Sequence, residues 1–177
     1  VLNADLAMTI PDFRAAERTF QLICQVAGRS GRAGTRGLMI VQTMQPEEPA
    51  IVHAIEHDYK GFVNDELSER EKFGYPPFTR LVRMVISDKN DKLAERSAQA
   101  LADIIRAILP GDAEQVRLEG PHRPVMDRLD GKFREEILLF APSAYQLQSV
   151  LTRLRTQGAL KKFHSLLEVD VDPLNMQ

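Results

Sequence analysis

The stretch "FGYPPFTRLVRMVISD", residues 73–88, decides how this chain is divided. Pro76 and Pro77 fix φ and lack an amide donor, so a helix arriving from the N-terminal side must stop there. Directly after them, "TRLVRMVISD" (79–88) has the branched apolar content of a strand. The proline pair therefore marks a boundary between residues 1–77 and 78–177.

Beyond the boundary, "DKLAERSAQALADIIRAIL" (91–109) predicts an amphipathic helix. "VRLEGP" (116–121) and "FREEILLFA" (133–141) predict strands, with "PVMDRLDGK" between them. "SAYQLQSVLTRLRTQG" (143–158) predicts a helix with Ser143 as N-cap and Gly158 as stop, and "HSLLEVDVDP" (164–173) a closing strand. The order β-α-β-β-α-β predicts a small α+β domain with two helices on one sheet.

Before the boundary, residues 12–30 predict a helix started by Pro11 and Asp12, with Phe20, Ile23 and Ala27 on one face. "GLMIVQT" (37–43) is a short, mainly apolar run, too uniformly apolar to be half exposed, and predicts a strand buried in a sheet. Glu47 and Glu48 suit a helix start, and the helical pattern runs to about Phe73 with Gly61 as its expected break. The opening "VLNADL" reads as mid-strand, which leads us to expect part of a longer protein.

Composition narrows the function classes. The chain has 177 residues, 44% hydrophobic, and a net charge of −2, which gives no global pull toward nucleic acid. No apolar run approaches a membrane span and no signal-peptide pattern opens the chain. The single Cys24 rules out a disulfide framework within the chain and a cysteine-rich zinc site, so a cytoplasmic location is expected.

The densest chemical signal is "QVAGRSGRAG" (25–34). It is not a P-loop, which needs a lysine after the second glycine, and its G-x-x-G-x-x-G spacing is not a dinucleotide fingerprint. At about 100° per residue, Gln25, Arg29 and Arg32 fall within about 80° of arc, opposite Phe20, Ile23 and Ala27. Forked guanidinium donors match phosphate oxygens, and Gly28 and Gly31 let a bulky anion approach. A solvated basic helix end, favoured by the dipole, is the other reading of the same residues.

"PDFRAAERTFQLICQVAGRSGRAG", "PEEPAIVHAIEHDYKGF", "FGYPPFTRL" and the closing "VDVDP" together resemble the primosomal protein N′ family of bacterial replication-restart DNA helicases. The resemblance covers nearly the whole chain. It implies that "QVAGRSGR" is helicase motif VI on the second of two ATPase lobes. Gln25, Gly28, Arg29 and Arg32 would then be nucleotide-binding. Arg29 and Arg32 would be the catalytic phosphate contacts, with Arg32 the first choice as arginine finger. It further implies an α/β remnant of a motor lobe followed by a C-terminal domain like a ribosomal small-subunit protein. The function implied is ATP-dependent unwinding at stalled or branched forks and primosome assembly, with ATP and Mg as cofactors of the full-length protein. The family's zinc ions have no ligands in this chain. Forked DNA, single-stranded-DNA-binding protein and primosome proteins are the implied partners, and no membrane. Because no Walker A lysine or D-E-x-H motif occurs here, the chain alone is expected to be inactive, a binding and docking module without catalysis.

For DNA contact the resemblance directs attention to "GKFREEILLF" (131–140), where the family often has a basic, aromatic strand. Arg123, Arg128, Lys132, Phe133 and Arg134 form the candidate patch, with Phe133 able to stack on a base. Glu135 and Glu136 depart from that pattern, and residues 78–177 are near neutral, with 15 Lys and Arg against 14 Asp and Glu. A salt-bridged solvated face is the competing reading. Glu168, Asp170 and Asp172 share a strand face, as solvated groups or arginine partners rather than a cation site. His53 and His57 lie four apart without an evident third ligand, so no metal site is expected.

Overall fold

The computed structural model describes residues 3–29, 38–109 and 116–176. It divides into two compact units, Val1–Phe73 and Gly74–Gln177.

The first unit is helical. A 3-10 turn spans Ala4–Ala7, followed by α1 (Ala15–Ala27), α2 (Pro49–Glu56) and α3 (Tyr59–Phe73). Its core gathers Ala4, Phe20, Ile23, Ala50, Ile51, Ala54 and Phe62, with the Phe20 and Phe62 rings stacked at 4.3 Å. The Asp12 side chain accepts from the Arg14 amide at 2.9 Å, which holds the chain just before α1 begins at Ala15. The helical pattern between Glu47 and Phe73 breaks at His57, which takes φ 56° at the end of α2, and not at Gly61.

Two strand expectations give way here. Within the opening stretch Ala4–Ala7 form a 3-10 turn, and residues 38–43 carry no strand. Strand structure needs a paired neighbour, and this segment meets the turn through isolated bonds. The Ala4 amide donates to the Gln42 carbonyl at 3.0 Å, and the Asp5 carboxylate accepts from Thr43 Oγ1 at 2.5 Å and the Met44 amide at 2.7 Å. Leu38 and Ile40 are 84% and 72% exposed, so the apolar run is not buried as its composition suggested.

The second unit runs β1 (Arg80–Asp88), α4 (Asp91–Ile108), β2 (Arg117–His122), β3 (Arg128–Leu129), β4 (Lys132–Ala141), α5 (Ala144–Thr156), α6 (Ala159–Lys162) and β5 (Leu167–Val171). The sheet order is β2-β4-β1-β5, with β3 paired to β4 and every pairing antiparallel. This is the split β-α-β, or ferredoxin-like, arrangement. Val82, Met84 and Ile86 of β1 alternate onto the same face as Ile137 and Leu139 of β4, with Val82 opposite Leu139 and Met84 opposite Ile137. That face packs against Leu101 and Ile105 of α4 and Leu147 and Leu154 of α5. Asn90 caps α4 by accepting from the Leu93 amide at 3.2 Å. Ser143 and Gln146 form a capping box at the start of α5.

The segment between β2 and β4 holds two features that position side chains. Asp130 and Gly131, both at positive φ, make the two-residue turn that joins β3 to β4, the geometry of a type I′ hairpin. The β2–β4 register shifts between Glu119 and His122, around Gly120 at φ 94°, and this sets His122 opposite Glu136.

Candidate functional site

The first candidate site is the end of α1. Phe20 and Ile23 bury one side of the helix, while Gln25, Gly28 and Arg29 are exposed on its last turn and cap. The Gly28 amide still bonds the Cys24 carbonyl at 2.9 Å, and the Arg29 amide bonds the Val26 carbonyl at 3.1 Å. A turn just beyond the helix thus carries the chain to Arg29, which is exposed. Arg32 lies outside the described residues, as does Gly31. Arg29 makes no ion pair among the described residues, whereas Arg18 and Arg70 do. Arg18 pairs with Asp12 at 2.9 Å, and Arg70 bridges Glu17 at 3.0 Å and Glu66 at 2.6 Å, tying α3 to α1.

The two histidines do not act together. His53 Nε2 lies 2.9 Å from Asp65 and its Nδ1 3.3 Å from Asp58. The hydrogen bond to Asp65, aided by both carboxylate charges and opposed by burial, raises the imidazole above its usual range. His57 is exposed at the α2–α3 break. Among the described residues no three His, Cys, Asp or Glu side chains are grouped to hold a metal ion. Cys24 is half-buried, and burial raises its thiol.

The candidate DNA patch on the second unit proves heterogeneous. Arg123 Nη2 meets both Asp91 oxygens, at 2.7 and 2.9 Å, and its guanidinium also lies 3.5 Å from Glu135 and 3.8 Å from Asp127. Arg134 is buried, its Nη1 donating to the Met126 carbonyl at 3.2 Å. The Arg128 guanidinium sits 4.9 Å from the centre of the half-buried Phe133 ring, and Lys132 is exposed beside the hairpin turn. Of the five side chains, Arg128 and Lys132 are the exposed cations without a carboxylate partner among the described residues. Asp172, on the acidic strand end, pairs with Arg80 at 3.3 Å and accepts from the Leu81 amide at 3.3 Å.

A buried polar network lies on the sheet face away from α4 and α5. Arg83 Nε donates to Glu136 Oε2 at 2.8 Å, and His122 Nε2 lies 3.0 Å from Glu136 Oε1. Burial pushes the Glu136 carboxyl up. The hydrogen bonds from His122 and Arg83, with the Arg83 charge, outweigh that and hold it below the usual range. The bond to Glu136 raises His122 in turn. Sequence reasoning missed this network. Its signal was a charged residue inside each of two apolar strands, Arg83 in "LVRMV" and Glu136 in "REEILL".

Residues 71–174 match the family described as the primosomal protein N C-terminal domain. Curated relatives match across the chain. The replication restart protein PriA of Treponema pallidum (strain Nichols) is 40% identical over 98% of this chain, and that of Synechocystis sp. 33% identical over 99%. The Bacillus subtilis (strain 168) protein of the same name is 30% identical over 99%. The chain spans 26%, 20% and 22% of the length of these three relatives. No helix among the described residues is long and apolar enough to cross a membrane. With more than half its length matched by one family and chain-long identity to proteins of one name, the chain belongs to the family of the primosomal protein N C-terminal domain.

Proposed function

We propose that this chain is part of an ATP-dependent DNA helicase that recognises stalled or branched replication forks and restarts replication through primosome assembly. The observation that carries the reading is chain-long identity to relatives named replication restart protein PriA. In this reading residues 1–77 close a motor lobe and 78–177 contact DNA, in the cytoplasm. Gln25, Gly28, Arg29 and Arg32 face the nucleotide, and Arg32 is the arginine finger. The exposed end of α1 supports the assignment, since Gln25 and Arg29 leave the core together.

Phosphoryl transfer gathers negative charge on equatorial oxygens, and a guanidinium held beside them stabilises the transition state more than the ground state. ATP and Mg supply the phosphoryl group and its metal when bound. The part of this chain is to hold positive charge at the phosphates, with the rigid α1 core behind it. Forked DNA, single-stranded-DNA-binding protein and primosome proteins are the proposed partners. On its own the chain is a non-catalytic binding module.

The test is DNA-stimulated ATPase activity of the full-length protein. Arg32→Ala should lower turnover by about a thousandfold while forked-DNA affinity stays within about twofold. Unchanged turnover in Arg32→Ala and Arg29→Ala would remove the finger role from this motif.

A further inference from the structure

Charge in the second unit is segregated along the chain. From Ile137 to Leu167 there is no aspartate or glutamate, yet the same stretch carries Arg153, Arg155, Lys161, Lys162 and His164. The remainder of the unit is correspondingly acidic. Arg153, Arg155, Lys161 and Lys162 fall on the last turn of α5 and on α6, with His164 just after it.

The fold holds these residues outward. Leu154, Ala159 and Phe163 are buried in the core beneath them, and Gly158, at φ 74°, turns the chain between the two helices. Arg155, Lys161 and Lys162 are exposed, and none pairs with a carboxylate among the described residues. Arg153 is differently employed, donating to the Ile108 carbonyl at 3.2 Å in the last turn of α4. The contrast with the other candidate patch is direct. There Arg123 is held by three carboxylates and Arg134 is buried.

We propose that Arg155, Lys161 and Lys162 form a seat for the phosphate backbone of nucleic acid on the α5–α6 corner, resting on the reading above that this unit contacts DNA. Helix C-termini favour cations, which accounts for one or two such residues but not for a stretch cleared of carboxylates. Exposed hydroxyl and amide groups of Thr152, Gln157 and Ser165 stand among the cations, the donors that phosphate oxygens accept from. A membrane surface needs apolar side chains to insert, and none of the exposed large hydrophobic residues falls between Tyr145 and Val169. An acidic peptide would want apolar anchors as well, and the same absence argues against it.

The experiment titrates a fluorescent forked DNA with the chain at several salt concentrations, for the parent, for R155Q/K161Q/K162Q and for R128Q/K132Q. The triple variant should bind about tenfold or more weakly, and its plot of log affinity against log salt should flatten by roughly 2 units, as counterion release by up to three phosphates requires. Circular dichroism melts of parent and triple variant should coincide. Equal affinity and slope in parent and triple variant would overturn the seat. Loss confined to R128Q/K132Q would also overturn it while leaving DNA contact by this unit standing. A parent chain that binds no DNA would sink that reading together with the seat. Titrations of phosphatidylserine vesicles and polyglutamate complete the comparison. Binding of either that the triple variant loses, with DNA binding kept, would assign the corner to that partner and overturn the proposal.

Discussion

Arg83 and Glu136 lie two registers apart on neighbouring antiparallel strands, Nε to Oε2 at 2.8 Å, with side chains only 7% and 8% exposed. Two charges in such a place stabilise the fold only as a pair, because each alone would keep its desolvation cost without its partner. Arg83→Met should therefore destabilise the chain by about 3–5 kcal/mol. The double variant R83M/E136L should recover most of that loss. Urea denaturation of the two variants checks it, and a double variant as weak as the single would mean the pair is not the unit of stability.

His122 gives this network a pH dependence. Its bond to Glu136 raises its pKa above the ordinary 6.5 in the folded chain. Its contribution is then fully present below pH 6.5 and is lost as pH rises through the folded value. Glu136 is held below its ordinary 4.5, so its contribution is present above that pH and lost as pH falls through the folded value. The network should be strongest between these limits. Melting midpoints of parent and His122→Gln should differ most near pH 5.5 and converge as pH rises through the folded value, and a difference that stays constant with pH would contradict the coupling.

The β3–β4 hairpin depends on Gly131 at φ 75°, where an added Cβ would meet nothing within 4 Å. Any cost of substitution is then a backbone cost. Gly131→Val should destabilise by about 1–2 kcal/mol, while Gly131→Asn, which tolerates the left-handed region, should cost well under half of that. Thermal melts of the two variants distinguish a backbone effect from a steric one.

Much of the second unit is legible in the sequence because its signals are local. The branched apolar content of "LVRMVI", the apolar spacing of 91–109 and the cap at Ser143 each lie within a few residues of the element they specify. The missed elements depend on partners. An apolar run such as 37–43 cannot report whether a strand lies beside it, and residues 38–43 have none among the described residues. The break at His57 rests on a left-handed backbone that histidine only occasionally adopts. The Asp-Gly pair at 130–131 was a readable hairpin signal that the sequence reading passed over. What surrounds each member of the candidate patch is non-local for a similar reason. Alternation gives the side of the strand for Arg134 but not what lies over it, and the Asp91 that engages Arg123 is 32 residues away.

Arg123 is thus expected to serve the fold more than a ligand. It lies 3.5 Å from Glu135, whose carboxyl burial raises and whose charge Arg123 offsets. A carboxyl with a raised folded pKa favours its protonated form, so its burial is tolerated at low pH and becomes costly as pH rises through the ordinary 4.5. Removing Arg123 raises Glu135 further and enlarges that cost. Arg123→Ala should therefore lower the melting midpoint more at pH 7 than at pH 4, and Glu135→Gln in the same background should restore most of the loss at pH 7. Forked-DNA affinity at pH 7, measured below the melting transition, should change less than about twofold, because a guanidinium already shared among three carboxylates offers little net charge to phosphate. A pH-independent loss of stability would remove Glu135 from the account, and a tenfold loss of DNA affinity would return Arg123 to the DNA surface.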